Sequence, residues 1–467
     1  MIASWMCALL LPASVLAAPA GQAKPAAQPA VVAPNGPASV PTPALSLSAG
    51  GMPLQPLATF LSAAKTYAVD NREVRAQSDQ QTNEAYIIMG RALPSVSIKG
   101  IYTRNQYHAE LPATIAQTFN PGATGPIVIQ ATDQWDAYFT GLVPLIDVGT
   151  WIRARGASAA ADALRKTVEA RELEVQKAVA RTFYQLVAGV ALIDSAQRNL
   201  QVSKENLQLL QVRREGGVAS ELDVERAASE VENGNQLMAN AVLSVELAKR
   251  QLQTLSGISP GTSGGSLADD LHQEGDLEQW EQAVAKDRIP GLRAAELNTY
   301  AADKNATGSY LAFLPTVLGT AQEHLSTITG FTGQHNSYLL SLTASWNVDF
   351  TTYFTAREQS SIYHLAQAQE ERARLAAADN IHNSWFQVQA QIAKSRAAQS
   401  QVKASRHAAE IARDRYQSGA ATQLDVVQAE RDAFGSEVNQ IQAQADLAYS
   451  RAELRLNAGQ SLEGGHQ

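Results

Sequence analysis

From Asp349 to Tyr416 the chain contains neither proline nor glycine, and Ile381, Val388, Ser395, Val402, Ala409 and Tyr416 recur at every seventh position, with Trp385 and Ile392 filling the alternate seam. Beyond a short turn, Phe434, Val438, Ile441, Ala445, Ala448 and Ala452 alternate spacings of four and three. Both patterns are coiled-coil seams, and they predict a long helix over 352–416 returning as a second helix over 422–458. Many seam residues are small, so close helix packing is expected. In the stretch RDRYQSGAATQLDVVQAERDAF between them, Gly419 can take the left-handed conformation that closes a helix. Thr422 and Asp425 have the spacing that caps the next one.

The same device occurs earlier as RREGGVASELDVERA. Gly217, Ser220, Leu222, Asp223, Val224 and Ala227 match Gly419, Thr422, Leu424, Asp425, Val426 and Ala429, each pair 202 residues apart. The interval also relates Asp147 to Asp349, Phe183 to Trp385, Leu252 to Leu454 and Gly257 to Gly459. The chain is therefore an internal duplication. The first copy predicts a long helix over 151–214, a tip at 215–220 and a return helix over 220–256. A helix of roughly 60 residues is about 90 Å long. Its return leg is read as two pieces, 220–256 and 290–310, separated by the Gly/Ser-rich SGISPGTSGGSLADD and a short helical piece from Leu277. A helix from Leu57 to Met89 then supplies the upper return of the second copy.

Ahead of each long helix lie two candidate strands. They are PSVSIKGIYTR and AYFTGLVPLI within 94–146, and PTVLGTAQEH and SYLLSLTASW within 315–347. The last alternates, with Tyr338, Leu340, Leu342, Ala344 and Trp346 on one side, as a strand crossing an outer membrane would. Periodicity alone also fits an ordinary half-buried hairpin. The helices that follow are too long for a compact soluble domain. The Gly, Thr, Asn and Gln-rich segments from Asn105 to Trp135 and from Gln322 to Asn336 are expected to be outer loops, the first longer. Four strands cannot close a membrane barrel, which starts at about eight. Strand edges demand oligomerisation. Eight strands enclose an interior filled by side chains, whereas twelve leave a lumen.

Composition narrows the function further. The net charge of −8 offers no basic surface to nucleic acid. The single cysteine, Cys7, falls in the apolar stretch 1–20, which reads as a secretory signal with a small-residue cleavage region. The Ala/Pro-rich segment 21–55 reads as a flexible leader. No later segment is apolar for long enough to be a membrane helix. No nucleophile elbow, phosphate loop or metal-spaced His/Asp/Glu cluster is visible, so no enzyme, cofactor or metal is expected.

Two tip sites remain as candidates. Asp425 and Asp223 either cap their helices and complement the dipole, or form acidic rings when copied around a symmetry axis. Gly217 and Gly419, with Arg213 and Arg415 one turn earlier, close their helices and leave bare backbone where another helix could approach.

The pattern R-x-x-x-G-x-x-[ST]-x-L-D-V, present at both tips, resembles the TolC-type outer-membrane efflux protein family over about Pro53 to Gly459. The resemblance implies a mainly α chain with a membrane β-barrel portion. Long antiparallel coiled-coil helices in two repeats and four strands per chain would assemble as a homotrimer, a twelve-stranded barrel continued by a twelve-helix periplasmic tunnel. It implies a passive exit channel in the outer membrane of a Gram-negative bacterium, contacting outer-membrane lipid. A periplasmic adaptor (membrane fusion protein) would couple it to an inner-membrane RND or ABC pump. It also implies that Asp425 lines a constriction with Tyr416 in the network that keeps it closed, Asp223 and Gln428 standing beside them. The tips Gly217, Gly419, Arg213, Arg415, Ser220 and Thr422 would receive the adaptor. Where the best-known member has an arginine and a second aspartate, this chain has Ala421 and Gln428, so its closing contacts differ. In domain terms, 56–257 is the first repeat, 258–276 an equatorial connector, 277–459 the second repeat and 460–467 a tail. A periplasmic coiled-coil adaptor or a scaffold is the alternative, but an adaptor has one hairpin per chain with flanking β domains, and here there are two hairpins without such flanks.

Overall fold

The computed structural model describes residues 52–462, apart from 120, 121, 123, 124, 266, 268, 287 and 331–333. The expected signal segment, Cys7 and most of the leader lie outside the described residues. In chain order the elements are α1 (Leu57–Tyr67), α2 (Val69–Gly90), β1 (Ser95–Arg104), β2 (Ala109–Leu111), α3 (Ala113–Phe119), β3 (Ile127–Gln130), β4 (Asp133–Ile146), α4 (Val148–Glu215) and α5 (Glu221–Ser256). They continue with α6 (Leu277–Ala285), α7 (Pro290–Tyr310), β5 (Thr316–Ser326), β6 (Asn336–Ser345), α8 (Phe350–Gln417) and α9 (Gln423–Asn457). The described chain is mainly helical.

The two long helices, α4 and α8, have 68 residues each, so each runs for about 100 Å. Each starts at a duplicated aspartate. Asp147 accepts from the Thr150 backbone N–H at 2.9 Å and Asp349 from that of Thr352 at 2.6 Å. In the half nearest the tips the helices lie side by side in the order α5, α4, α9, α8, and in the half nearest the strands in the order α2, α4, α7, α8.

This order exchanges two pieces of the expected return legs. The sequence pattern places α7 above α5 and the N-terminal helix above α9; in the structure α7 stands above α9 and α2 above α5. The duplicated glycines mark both junctions. A Cβ on Gly459 would lie 2.5 Å from the Arg288 carbonyl, just before α7, and one on Gly257 would lie 2.8 Å from the Tyr67 ring, at the end of α1. The cause is the connector 258–276, which crosses one face of three helices. Gly265 lies over Val187 of α4, Asp269 and Glu274 bind Arg451 of α9, and the Gly275 carbonyl accepts from Trp385 Nε1 of α8 at 2.8 Å. The chain is thereby carried past α9 before α7 begins.

Two other expectations are corrected. The helix from Leu57 to Met89 is broken at Ala68, whose ψ of 128° is extended. Phe60, Leu61 and Ala64 of α1 are buried against Val179, Leu186, Val245 and Leu252 of α4 and α5, whereas α2 follows α4 alone. The Asn71 amide donates to the Ala64 carbonyl, which also accepts from the Ala68 N–H, and to the freed Lys65 carbonyl, at 3.3 and 3.4 Å. In α9 the most deeply buried positions are Ser436, Ala443, Leu447, Ser450, Leu454 and Leu456, and of the expected seam Ala445 and Ala452 are buried as well. Phe434, Val438, Ile441 and Ala448 are only half-buried flanks. Because α9 lies between α8 and α4, small serines form its tight seam, and Ser436 meets Ser405 of α8 hydroxyl to hydroxyl at 2.5 Å.

The strands form an antiparallel sheet in the order β1, β4, β5, β6. Cross-strand rows such as Ile98, Phe139, Glu323, Tyr338 and Lys99, Tyr138, His324, Ser337 define its two faces. One face carries Val96, Ile98, Tyr102, Trp135, Phe139, Val143, Leu325, Tyr338, Leu340 and Leu342. The other carries Ser97, Lys99, Gln134, Asp136, Thr140, Gln322, His324 and Ser341. The division is incomplete: Arg104, Asp133, Glu323 and Asn336 lie on the apolar face, and Ile101, Tyr138, Leu142, Leu318 and Leu339 on the polar one. The edges β1 and β6 have no further strand beside them in the chain. Gln322 to Ser326, expected in a loop, belongs to β5, and β4 begins at Asp133. These polar residues alternate with apolar ones on a two-faced strand and so imitate loop composition. The longer excursion, 105–132, is also not a plain loop, since β2 pairs with β3 and Ala116 and Ile127 are buried there.

Candidate functional site at the hairpin tips

Each tip is built by backbone geometry first. Gly217 and Gly419 have φ of 73° and 77°, a region that costs other residues about 1–2 kcal/mol. The turn that follows folds back onto the helix. Val218 N–H reaches the Arg213 carbonyl at 2.8 Å and Gly217 N–H that of Arg214 at 2.9 Å; Ala420 and Gly419 repeat this on Arg415 and Tyr416 at 2.7 and 3.1 Å. These are paired Schellman closures. Nothing lies within 4 Å of a Cβ built on either glycine, so both tips present open backbone.

The next residues cap the return helices. The Ser220 hydroxyl accepts from Asp223 N–H at 3.1 Å and donates to Asp223 Oδ2 at 2.6 Å. The second tip has the full capping box. The Thr422 hydroxyl accepts from Asp425 N–H at 3.3 Å, and Asp425 Oδ2 accepts from the Thr422 hydroxyl and backbone N–H at 2.7 and 2.8 Å. The Thr422 hydroxyl, and after it the Thr422 N–H, hold the Asp425 carboxyl below the usual carboxylate range. Each aspartate is engaged within its own tip, and Asp425 stays exposed beside Gln428, one turn on.

Tyr416 is what joins the tips. It packs on Leu210, Val224 and Ala227 of the first hairpin, and the Arg213 guanidinium stands 5.0 Å from its ring centroid. Arg415, by contrast, is exposed. Further contacts between the hairpins were not legible in the sequence: Arg431 pairs with Glu230, and Arg198 with Glu437 at 2.7 Å, where Arg406 also reaches Glu437 at 3.0 Å. Arg413 pairs with Glu430 inside the second hairpin. The available signal was divergence between the copies, for Arg431 stands where the first repeat has Ser229, and Glu230 where the second has Asp432. Two grooves of about 240 and 220 Å³ flank these pairs, and both include Glu430.

The expected absence of a metal-type cluster is corrected in the connector. Asp269, Asp270 and His272 bring ligand-type atoms within 4.8 Å of one another. Their neighbour is a cation already. Arg451, with 7% of its side chain exposed, binds Asp269 Oδ1 at 3.1 Å and Glu274 Oε1 at 2.8 Å, and donates to the His272 carbonyl at 2.7 Å. The arrangement is an ion-pair clamp for the connector. Among the described residues no helix is long and apolar enough to cross a membrane.

Comparison with known proteins agrees with this geometry. The profile of the family described as "Outer membrane efflux protein" matches residues 70–258 and 283–460. The fold is similar to that of the outer-membrane channel OprN, with TM-score 0.73, 19% identity, and coverage of 87% of this chain and 90% of that one. It is similar to the outer membrane protein VceC of Vibrio cholerae, with TM-score 0.73, 16% identity and coverage of 86% and 96%. The open-state outer membrane channel MtrE of Neisseria gonorrhoeae gives TM-score 0.70, 18% identity and coverage of 86% and 89%. No curated protein matches the chain in sequence.

Proposed function

Because the chain belongs to the outer membrane efflux protein family, and is thus an exit channel of the outer membrane, we propose that it works as a homotrimer. Three four-stranded sheets close a twelve-stranded barrel, and three helical walls continue it as a twelve-helix tunnel through the periplasm. The observation that carries this reading is a sheet with an apolar face, a polar face and two unpaired edges, attached to a helical wall whose edges are also unpartnered. β1 and β6 run in opposite senses, so β6 of one protomer can pair antiparallel with β1 of the next and repeat the ladder without interruption. The same contact would cover the apolar side chains left at the wall's edges. Tyr86 and Ile87 of α2 and Leu243 and Leu247 of α5 are 57–62% exposed, and Leu365 and Leu375 of α8 are 58% and 61% exposed. The apolar sheet face then meets lipid and the polar face lines the lumen.

The channel is passive and takes cargo from an RND or ABC pump of the inner membrane through a periplasmic adaptor. The open backbone at Gly217 and Gly419, with Arg213, Arg415, Ser220 and Thr422 around it, is where the adaptor's helical hairpins dock. Asp425, copied three times, rings the constriction with Gln428 beside it. Asp223 stands at the equivalent place on the first tip, and Tyr416 with Arg213 holds the tips together. The first experiment is the molar mass, by light scattering, of protein extracted in detergent from the outer-membrane fraction. A trimer supports the reading, and a soluble monomer or dimer refutes it. Asp425→Ala in a planar bilayer should raise the resting conductance; an unchanged conductance removes Asp425 from the gate.

A further inference from the structure

The connector crosses one face of the helical wall, the outer face on the trimeric reading. Arg451, Leu447 and Leu454 of α9 face it, so Gln442, Asp446, Tyr449 and Glu453, half a helical turn away, face the opposite side. On that opposite face, the lumen side on the trimeric reading, α4, α8 and α9 border an open cleft of about 430 Å³ at the level of the connector, a size typical of small-molecule sites.

Its lining is unusual for a wall that only excludes lipid or packs helices. Four primary amides converge there, Gln185 from α4, Gln387 and Gln391 from α8 and Gln442 from α9, together with the phenols of Tyr184 and Tyr449. Of the charged groups around it, one pair is joined and two lie against Tyr449. Lys394 Nζ pairs with Asp446 at 3.3 Å and the Gln442 amide donates to the same carboxylate at 2.9 Å. Arg181 stands 5.7 Å from the Tyr449 ring centroid, and the Tyr449 phenol interacts with Glu453. Two cations and two anions therefore balance locally. Beside Arg181 and Glu453, which have no ion pair among the described residues, the groups left available are amides: Gln185 and Gln387, both exposed and without a hydrogen bond to the described protein, and Gln391, whose Oε1 is buried and unpaired. A buried acceptor without a donor is costly, and a ligand hydroxyl would remove that cost. Burial, and then the neighbouring Glu453, push the Tyr449 phenol up to about 12, so it remains a neutral hydrogen-bonding group. Burial likewise raises Tyr184.

Amides donate and accept at once, as hydroxyl groups do, and tyrosine rings offer an apolar face to C–H groups. We propose that this cavity is a binding station within the duct for an uncharged, polyhydroxylated solute, a short oligosaccharide by chemical class, present three times around the tunnel. The proposal rests on the exit-channel reading and names a class of cargo for it. Arg181 and Lys394 are matched in number by Asp446 and Glu453, so these four groups offer neither an anion nor a cation a net charge to bind.

The test uses the full chain in detergent and cellotetraose as the probe, read by saturation-transfer NMR. Transfer to the sugar protons is expected with the unaltered protein, and about ten-fold weaker binding in Gln387→Leu/Gln391→Leu, the loss of two neutral hydrogen bonds. Gln391→Asn, which keeps an amide, should retain most of the binding. Leucine is a strong helix former, and unchanged molar mass and far-ultraviolet circular dichroism would show that the variants fold. Equal transfer in the unaltered and double-leucine proteins overturns the proposal, as does transfer to tetraethylammonium in place of the sugar. The same preparation is placed in planar bilayers. Absence of any ionic current there counts against the channel reading, whereas the NMR result reports on the cavity alone.

Discussion

Replacing Arg451 with methionine should loosen the connector without touching the tips. Its side chain is 7% exposed and its partners Asp269 and Glu274 are 15% and 8% exposed, so removing the guanidinium leaves two carboxylates with little water. Breaking a buried pair in this way costs about 3–5 kcal/mol. Part of that figure is the loss of three charged hydrogen bonds, to Asp269, Glu274 and the His272 carbonyl. The rest is the penalty on the stranded carboxylates. Because the connector is held to α9 mainly here, the cost falls on its local opening. Amide hydrogen exchange over 267–276 should accelerate by roughly a hundred-fold to several thousand-fold, at about 1.4 kcal/mol per decade. Exchange over 213–223, at the distant first tip, serves as the control and should not change. Neutralising the stranded acids in Arg451→Met/Asp269→Asn/Glu274→Gln should recover most of the loss. Unchanged exchange in the single variant, or no recovery in the triple, would refute the clamp.

Other expectations follow from the same geometry. Gly419→Ala should destabilise the tip by about 1–2 kcal/mol because its φ is 77°. Gly435→Ala, in mid-helix with nothing within 4 Å of a new Cβ, should stabilise by about 1 kcal/mol; thermal or denaturant melts of both variants check the opposite signs. Leu340→Lys should impair assembly in the outer membrane by about 2–4 kcal/mol if that face meets lipid, whereas Ser341→Lys on the polar face should be tolerated, as read from trimer yield in membranes. The Asp425 carboxyl is depressed in the folded state by Thr422, so its capping contribution is present above the unfolded value of about 3.9 and lost as pH falls through the lower folded value. Exchange protection of the amides following Thr422 should therefore hold down to about pH 4 and fall below it, a dependence that Asp425→Asn should abolish.

The features that could be read from the sequence are those specified locally. A glycine at a left-handed position followed by Thr-x-x-Asp fixes a turn between helices within seven residues, from Gly419 to Asp425, and its repetition at Gly217 and Asp223 revealed the duplication. Pairings set by distant chain were harder. Nothing local marks the break at Ala68, because a side-chain amide from Asn71 rather than a proline or glycine terminates α1. The placement of α7 over α9 depends on where the connector lands, and that is decided by Arg451, a single charge within an ordinary helical stretch. Ser436 and Ser450 belong to the α9 seam yet look like surface residues, since close helix approach rewards small volume over hydrophobicity. The approach of Arg213 to the Tyr416 ring is of the same kind, since it depends on the two hairpins being neighbours.

The duplication also explains why the two boundaries of each hairpin are unequal. Inside a chain, hairpin two is tied to hairpin one by Arg431 with Glu230, by Arg198 with Glu437, and by Tyr416 under Arg213. If the copies were identical, the same pairs would recur where hairpin one of one protomer meets hairpin two of the next. They cannot, because the equivalent positions are Ser229 for Arg431, Asp432 for Glu230, Ser400 for Arg198, Asn235 for Glu437 and Arg214 for Tyr416. A boundary offering Ser229 to Asp432 and Ser400 to Asn235 has no ion pair at either place. On the trimeric reading, each chain's tips are cross-linked to one another while the contact between protomers is the weaker seam.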